Sequence, residues 1–363
     1  MKILLAMSGG IDSSTLAYLL KDQGHEVIGV RFTLWSDPLA PALAQVLPTK
    51  CCSTQNIARA SRVAKTLGIP LHILDLEDEF KRTVVDPYLE AHAQGLTPNP
   101  CIGCNRSIKF GKLLKTAEAF GCDALATGHY ARVASERLAD GTERAVLLEA
   151  IDHRKDQSYY LYGLTQEQLK KTLFPLGGMT KDQVYALAEH YGMQMPDTYR
   201  ESQDLCFFPE RTPQEFLKRH LKNLLKPGSI TRRDGSVVGS HSGLPLYTIG
   251  QRRGLRIGGL KIPLEVVAKD TTDNRLIVAE QGEERTESVN LIDLRFVSWM
   301  PEQNASIPFE CRVRSLSVRL PGQLKIEGAN ATFTFKHPQP PQTPGQSLVL
   351  YRGEEVIGGG VIA

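Results

Sequence analysis

The sequence is short of the features that mark membrane, secreted and repeat proteins. No apolar run approaches the ~20 residues needed to cross a bilayer, and Met1-Lys2-Ile3 leads straight into apolar residues with no basic leader or cleavage site. A cytoplasmic protein with no membrane partner is the expectation. Cysteine is sparse and odd in number, seven in 363 residues, which speaks against a disulfide framework and leaves thiols for chemistry or metal. No internal repeat occurs at solenoid periods. The net charge of +3 is near balance and selects no partner by itself. Two nucleotide signatures are also missing: no Gly-Lys-Ser/Thr follows a glycine turn, and no Gly-x-Gly-x-x-Gly opens a helix.

What is present begins with Ser8-Gly9-Gly10-Ile11-Asp12-Ser13, directly after the apolar run Ile3 to Met7. Adjacent glycines permit close approach of backbone to a ligand, and Leu16, Ala17, Leu19 and Leu20 give residues 13–21 a helical spacing. The N–H groups at that helix end would face one anion. The motif resembles the PP-loop of the ATP pyrophosphatase superfamily, which implies a grip on the pyrophosphate that leaves when a substrate is adenylated.

Strand and helix signals alternate through the first half. Strands are expected over 26–32, 71–74 and 124–127, with helices around Ile57 to Leu67 and between Thr180 and Tyr191, the latter with a Thr180/Gln183 capping box. Such alternation implies a parallel sheet covered by helices, with Gly128-His129-Tyr130 at the same carboxyl edge as the Ser8–Ser13 turn. From Pro227 the texture changes to short β-like runs broken by Gly and Pro. The fold class is therefore α/β, a parallel-sheet domain over 1–200, followed by two smaller, mainly β domains over 201–280 and 281–363. Breaks are expected near 199–203 and in the polar segment 281–288. Ten cations between Arg211 and Leu260, against only Glu215 and Asp234, make the middle region a candidate polyanion surface.

Cys104 lies in Thr97-Pro98-Asn99-Pro100-Cys101-Ile102-Gly103-Cys104-Asn105-Arg106, read as a proline-stiffened loop entering a helical segment. Arg106 and Lys109 would favour thiolate there. For Cys101-x-x-Cys104 alone, redox, metal and catalytic readings are equally natural, although no second pair supports structural zinc. Cys206, in Ser202-Gln203-Asp204-Leu205-Cys206-Phe207-Phe208, reads by itself as a buried structural thiol. Cys51-Cys52 is taken as a loop feature, and Cys122 and Cys311 as core or strand residues. His129 either touches nucleotide or fixes its own loop.

Taken together, these segments resemble the bacterial tRNA-specific 2-thiouridylase family. The resemblance is carried by the PP-loop, Asn99-Pro100 through Ile108-Lys109-Phe110, Ala126-Thr127-Gly128-His129-Tyr130, Lys155-Asp156-Gln157-Ser158-Tyr159 and the Cys206 segment. It continues through Tyr247-Thr248-Ile249-Gly250-Gln251-Arg252-Arg253-Gly254-Leu255, Pro344-Gly345-Gln346 and Gly358-Gly359-Gly360, so it spans the chain from residue 6 to 361. It implies an adenine-nucleotide α-hydrolase-like first domain and a C-terminal β-barrel. It also implies 2-thiolation of the wobble uridine, position 34, of tRNA. The uracil C2 oxygen is a poor leaving group, so ATP would convert it to an AMP ester, with Mg2+ as companion and Asp12 as its nearest carboxylate.

By the same resemblance Cys206 carries sulfur as a persulfide and Cys104 completes its release, leaving a Cys104–Cys206 disulfide. Ala6, Met7, Ser8, Gly9, Gly10, Ile11, Asp12, Ser13, Phe32 and Gly128 match ATP-contacting positions. Asn99, Pro100 and Cys101 match the target-base loop, and Lys155, Asp156 and Gln157 a tRNA-contacting segment. The implied partners are tRNA, with Glu, Gln and Lys acceptors, and a cysteine desulfurase or sulfur-carrier protein. Two departures stand out: Cys101 replaces an Asp of some relatives, and Leu316-Ser317 replaces an Arg-Tyr pair that reaches tRNA. Two alternatives remain, an iron–sulfur cluster on Cys101, Cys104 and Cys206, and a PP-loop ligase or amidotransferase acting on a small substrate.

Overall fold

The computed structural model describes residues 1–41, 54–193, 205–210, 212–259 and 262–363. Cys51-Cys52, the break expected near 199–203 and the polar stretch Ser202-Gln203-Asp204 lie outside the described residues. Strands β1 (Lys2–Ala6), β2 (Glu26–Thr33), β3 (Leu71–Asp75) and β4 (Ala124–Ala126) are followed by a hairpin, β5 (Arg132–Arg137) and β6 (Glu143–Leu148), and then by β7 (Thr172–Leu173). Five of them form an all-parallel sheet in the order β3-β2-β1-β4-β7.

Alternation along β1 explains its central place. Ile3, Leu5 and Met7 pack with α1 (Ile11–Asp22) and the helices Thr54–Leu67 and Lys181–His190 on one face. Leu4 packs with the helix Phe110–Ala119 on the other. The chain leaves β1 toward β2 and β3, then returns to β1's other side as β4. The carboxyl ends of β1 and β4 therefore flank a topological switch point, where ligands of open α/β sheets bind.

The expected loop around Cys101 and Cys104 is in fact helical from Pro100. Asn99 caps Pro100–Cys104, its side chain accepting from Cys101 N–H at 3.2 Å, with Pro at the first helical position. That Asn-Pro pair is a helix start rather than a loop stiffener. One π-helical turn, Asn105–Lys109, joins this segment to Phe110–Ala119.

Beyond the helix Gln214–His220, strands β8 (Gly228–Thr231), β9 (Val237–His241), β10 (Leu264–Asp270) and β11 (Arg275–Glu280) make a small sheet in the order β10-β11-β8-β9. The last module contains β12 (Thr286–Phe296), β13 (Ser306–Arg312), β14 (Leu320–Glu327), β15 (Asn330–Gln339), β16 (Ser347–Arg352) and β17 (Glu355–Ile362). These six strands close into an antiparallel barrel through pairing of β12 with β17. The segment 281–288, expected to be a linker, is already β12 from Thr286. The β5–β6 hairpin of the first module joins the barrel sheet at β17, with Leu148 opposite Glu355. Among the described residues no helix is long and apolar enough to cross a membrane.

Candidate active site

The turn after β1 is shaped by one of its two glycines. Gly9 has φ +80°, and a Cβ there would lie 2.0 Å from the Asn56 carbonyl oxygen. Gly10 is extended, φ −73° and ψ 166°, and serves as N-cap of α1. The loop carbonyls are held away from the helix end by two guanidinium groups: Arg31 donates to Ser8 O and Arg59 to Gly9 O, each at 2.8 Å. Ser13 Oγ donates to Gly10 O at 3.1 Å and lies 3.2 Å from Ser8 Oγ. The N–H groups of Asp12 and Ser13, in the first turn of α1, have no acceptor among the described residues, which leaves an anion-binding end.

Gly128, after β4, packs over that end: a Cβ there would stand 3.3 Å from Asp12 Cβ and 3.4 Å from Ser13 N. Asp12 Oδ1 accepts from Lys181 Nζ at 2.6 Å and from the Tyr130 hydroxyl at 2.9 Å. The neighbouring His129 ring lies 2.8 Å from Thr127 Oγ1 and packs between Phe110 and Phe174. Burial, helped by the Lys109 charge, holds its pKa well below the ordinary histidine value. A neutral, packed ring that fixes its own loop is what this geometry favours.

Phe32, at the end of β2, connects the sheet core to a second cluster built on Phe80, Tyr88, Phe207, Phe208 and Phe216. Cys104 is buried in this cluster and half-buried Cys206 packs against it. The aromatic pair after Cys206 anchors it, Phe208 stacking on Phe216 at 4.9 Å and Phe207 meeting that ring edge-on at 5.4 Å. A polar clamp ties the same segment to the loop after β2. Asp37 N–H donates to Phe207 O at 3.2 Å, and the Asp37 carboxylate takes Arg219 and His220, while Arg219 also holds Glu210. Burial acts to raise the Asp37 pKa, but the hydrogen bonds from Arg219 and His220 hold it below the usual carboxylate range.

Cys101 is half-buried one turn before Cys104, close enough to Tyr88 and Tyr160 to add to the upward push that burial gives their phenols. No disulfide joins the described cysteines. Among the described residues no group of three or more His, Cys, Asp or Glu side chains is placed to hold a metal ion. Cys101, Cys104 and Cys206 are thus not gathered as cluster ligands.

Motifs from all three modules meet at Thr97. Its N–H donates to Pro344 O at 2.9 Å, Gln346 Nε2 donates to Thr97 O at 2.7 Å, and Thr343 Oγ1 donates to Ile249 O at 3.2 Å. Gly345, φ +90°, lets this turn touch Thr97. A cleft of about 470 Å³ opens there, lined by Gln251, Arg253, Arg314 and Gln346 among others. Of the cations in the middle region, Lys218, Arg219, Arg232 and Arg233 are taken up in ion pairs. Lys222, Lys226, Arg252, Arg253 and Arg256 are exposed and have no carboxylate partner among the described residues.

Lys155 and Gln157 are half-buried, but Asp156 is 2 % exposed. Its carboxylate accepts from Ala150 N–H, Ser158 N–H, Ser158 Oγ and Arg312 of the barrel. Leu316, in the stretch that departs from the relatives' pattern, is exposed on a turn with φ +59°. Arg31, Arg59 and Lys181 are site residues that the sequence did not reveal, and Tyr130 was placed at this edge without its bond to Asp12. Two carried a signal: Arg31 interrupts an apolar strand, and Lys181 opens a helix where a cation opposes the dipole.

The parallel sheet, the glycine turn at its carboxyl edge and the two β modules define a class, a HUP-type PP-loop enzyme with appended β modules, the last a closed barrel. Residues 1–210 match the tRNA methyl transferase HUP domain family, 214–280 the tRNA methyl transferase PRC-barrel domain and 289–362 the aminomethyltransferase beta-barrel domain. The tRNA-specific 2-thiouridylase MnmA of Roseiflexus castenholzii is 42 % identical over 381 residues, covering 100 % of this chain and 99 % of that protein. A namesake from Caldanaerobacter subterraneus is 42 % identical over 366 residues, with 99 % and 97 % covered. The chain belongs to the tRNA-specific 2-thiouridylase family. A solved 4-thiouridine synthetase–RNA complex with bound ATP is 19 % identical over 61 % of this chain and 51 % of that one, TM-score 0.33, an overlap too slight to bear on the site.

Proposed function

We propose that this chain is an ATP-dependent tRNA uridine 2-sulfurtransferase acting at the wobble position through a persulfide relay. One observation carries the reading: Cys104 and Cys206, 102 residues apart in sequence, share an aromatic cluster that also takes in Phe32, at the carboxyl end of the strand beside β1 and its phosphate turn. Activation and sulfur delivery then meet at one sheet edge.

The uracil O2 attacks the α-phosphorus of ATP and pyrophosphate departs onto the Ser8–Ser13 turn, where helix N–H groups take its charge. Asp12 is the carboxylate of that turn, and its Oδ2 has no protein donor among the described residues, which fits Mg2+ held mainly by phosphate oxygens. Mg2+ would neutralise phosphate charge as the pyrophosphate leaves. Asn99, Pro100 and Cys101, braced by Thr97, would frame the target base. The terminal sulfur of a Cys206 persulfide adds to C2, and AMP leaves with the former O2. The Cys104 thiolate attacks Cys206 Sγ, so the S–S bond breaks, the sulfur stays on C2 and a Cys104–Cys206 disulfide forms. An external dithiol reopens it.

The cleft beside Arg253, Arg314 and Gln346 and the exposed cations Arg252 and Arg256 supply an RNA-binding face whose affinity falls with salt. Asp156 would act there by holding Lys155 and Gln157 in place, since its own carboxylate is buried. Acceptors for Glu, Gln and Lys, and a desulfurase or carrier as donor, complete the reading. The test is Cys206→Ser: 2-thiouridine formation, measured by nucleoside mass spectrometry, should vanish while ATP and tRNA still bind. Thiolation retained by that variant overturns the relay.

A further inference from the structure

Lys181 begins the helix Lys181–His190, at the end where the dipole disfavours a cation, yet it is 4 % exposed. Its backbone N–H donates to Asp152 Oδ2 at 3.0 Å, fixing the point from which the side chain leaves. The ammonium then reaches across to the phosphate turn, 2.6 Å from Asp12 Oδ1, with the rings of Tyr130 and Tyr185 at 5.6 and 4.9 Å. The Tyr130 hydroxyl donates to the same Oδ1 at 2.9 Å. One carboxylate oxygen thus takes both donors, and the other takes none among the described residues. A bare carboxylate beside a polyphosphate site would repel the ligand that the turn is built to hold.

We infer that Lys181 is a positioning residue for the nucleotide step. Its charge cancels that of Asp12 before nucleotide binds and, together with Tyr130, it turns Oδ2 toward the bound triphosphate. The inference rests on the ATP reading of the turn. It gives a buried lysine, noted in the sequence only as part of a capped helix, a defined electrostatic task.

Calorimetric titration of the full-length protein with ATP, once in EDTA and once with Mg2+, tests it. In EDTA, Lys181→Met should weaken ATP binding on the order of tenfold, the size of one charge whose field at the ligand is largely screened by water in the open site. Adding Asp12→Asn to that variant should restore affinity to within about threefold of the parent, because the carboxylate that needed a counter-charge is gone. Lys181→Arg should bind like the parent. Tyr130→Phe should bind normally in EDTA but lose about threefold of the gain that Mg2+ confers, through misaimed Oδ2. A Lys181→Met protein that binds ATP like the parent in EDTA, or a double variant no better than Lys181→Met, overturns the inference. If Lys181→Met does not fold, unchanged Mg2+ gain in Tyr130→Phe together with weakened binding by Lys181→Arg does the same. A parent that binds no ATP under either condition overturns the nucleotide reading itself.

Discussion

Gly9 and Gly10 look equivalent in sequence and are not. Only Gly9 occupies the left-handed region and presses on the Asn56 backbone. Gly9→Ala should therefore cost about 1–3 kcal/mol of stability and abolish ATP binding, whereas Gly10→Ala, at an extended N-cap, should cost a few tenths to about 1 kcal/mol. Thermal melts of the two variants decide it; equal losses would contradict the assignment. The phosphate turn was legible because its chemistry is contiguous in the chain. Arg31, Arg59 and Lys181 were not, because each reaches the turn from a different element, and spacing in sequence does not encode that convergence.

At the scale of elements, local patterns were read best where local physics decides. The Thr180/Gln183 capping box is present in both halves, and β1 to β4 fall where apolar runs placed them. The β5–β6 hairpin was missed because β5 is polar and mostly exposed, and only its partner β6 is paired with a strand of another module, β17. Strand β17 was not expected; its Gly358-Gly359-Gly360 stood only as a landmark of the resemblance. In the closed barrel these positions have no room for a side chain: a Cβ on Gly358 would lie 2.2 Å from Arg295 O and one on Gly359 2.3 Å from Leu348 O. Where the hairpin meets the barrel, Arg312 contacts Glu149 at 2.8 Å and Asp156 at 3.0 Å, and Arg319 closes on Glu149. Burial pushes the Glu149 carboxyl up despite these cations. Asp156→Ala should destabilise the protein by about 3–5 kcal/mol, because it leaves the buried Ala150 and Ser158 donors unmet and takes one of two carboxylates from Arg312, and adding Arg312→Met should cost less than the sum of the two single losses. Urea unfolding of the single and double variants measures both, and additive losses would refute the coupling.

At the scale of the molecule, the first module meets the middle one through buried His92 and half-buried Lys269. His92 Nδ1 lies 3.2 Å from Pro245 O, and Lys269 donates to Gly95 O at 2.8 Å. Burial, reinforced by the Lys269 charge, lowers His92 to about 4. A folded pKa below the unfolded value of about 6.5 contributes stability in full above pH 6.5 that is lost as pH falls toward 4. The total is at most ~3 kcal/mol. His92→Gln should flatten stability across that window in urea titrations at pH 7 and pH 4.5; an unchanged slope would reject His92 as the source. The barrel sheet has a consequence for the protein's history. Two of its eight strands are encoded between β4 and β7, inside the nucleotide-binding module, far from the six that close the barrel. Modules joined by a linker can be shuffled, lost or exchanged among genes. Modules that complete one another's sheet are inherited together, and a lineage that shed the barrel would have to rebuild the surface of the half it kept.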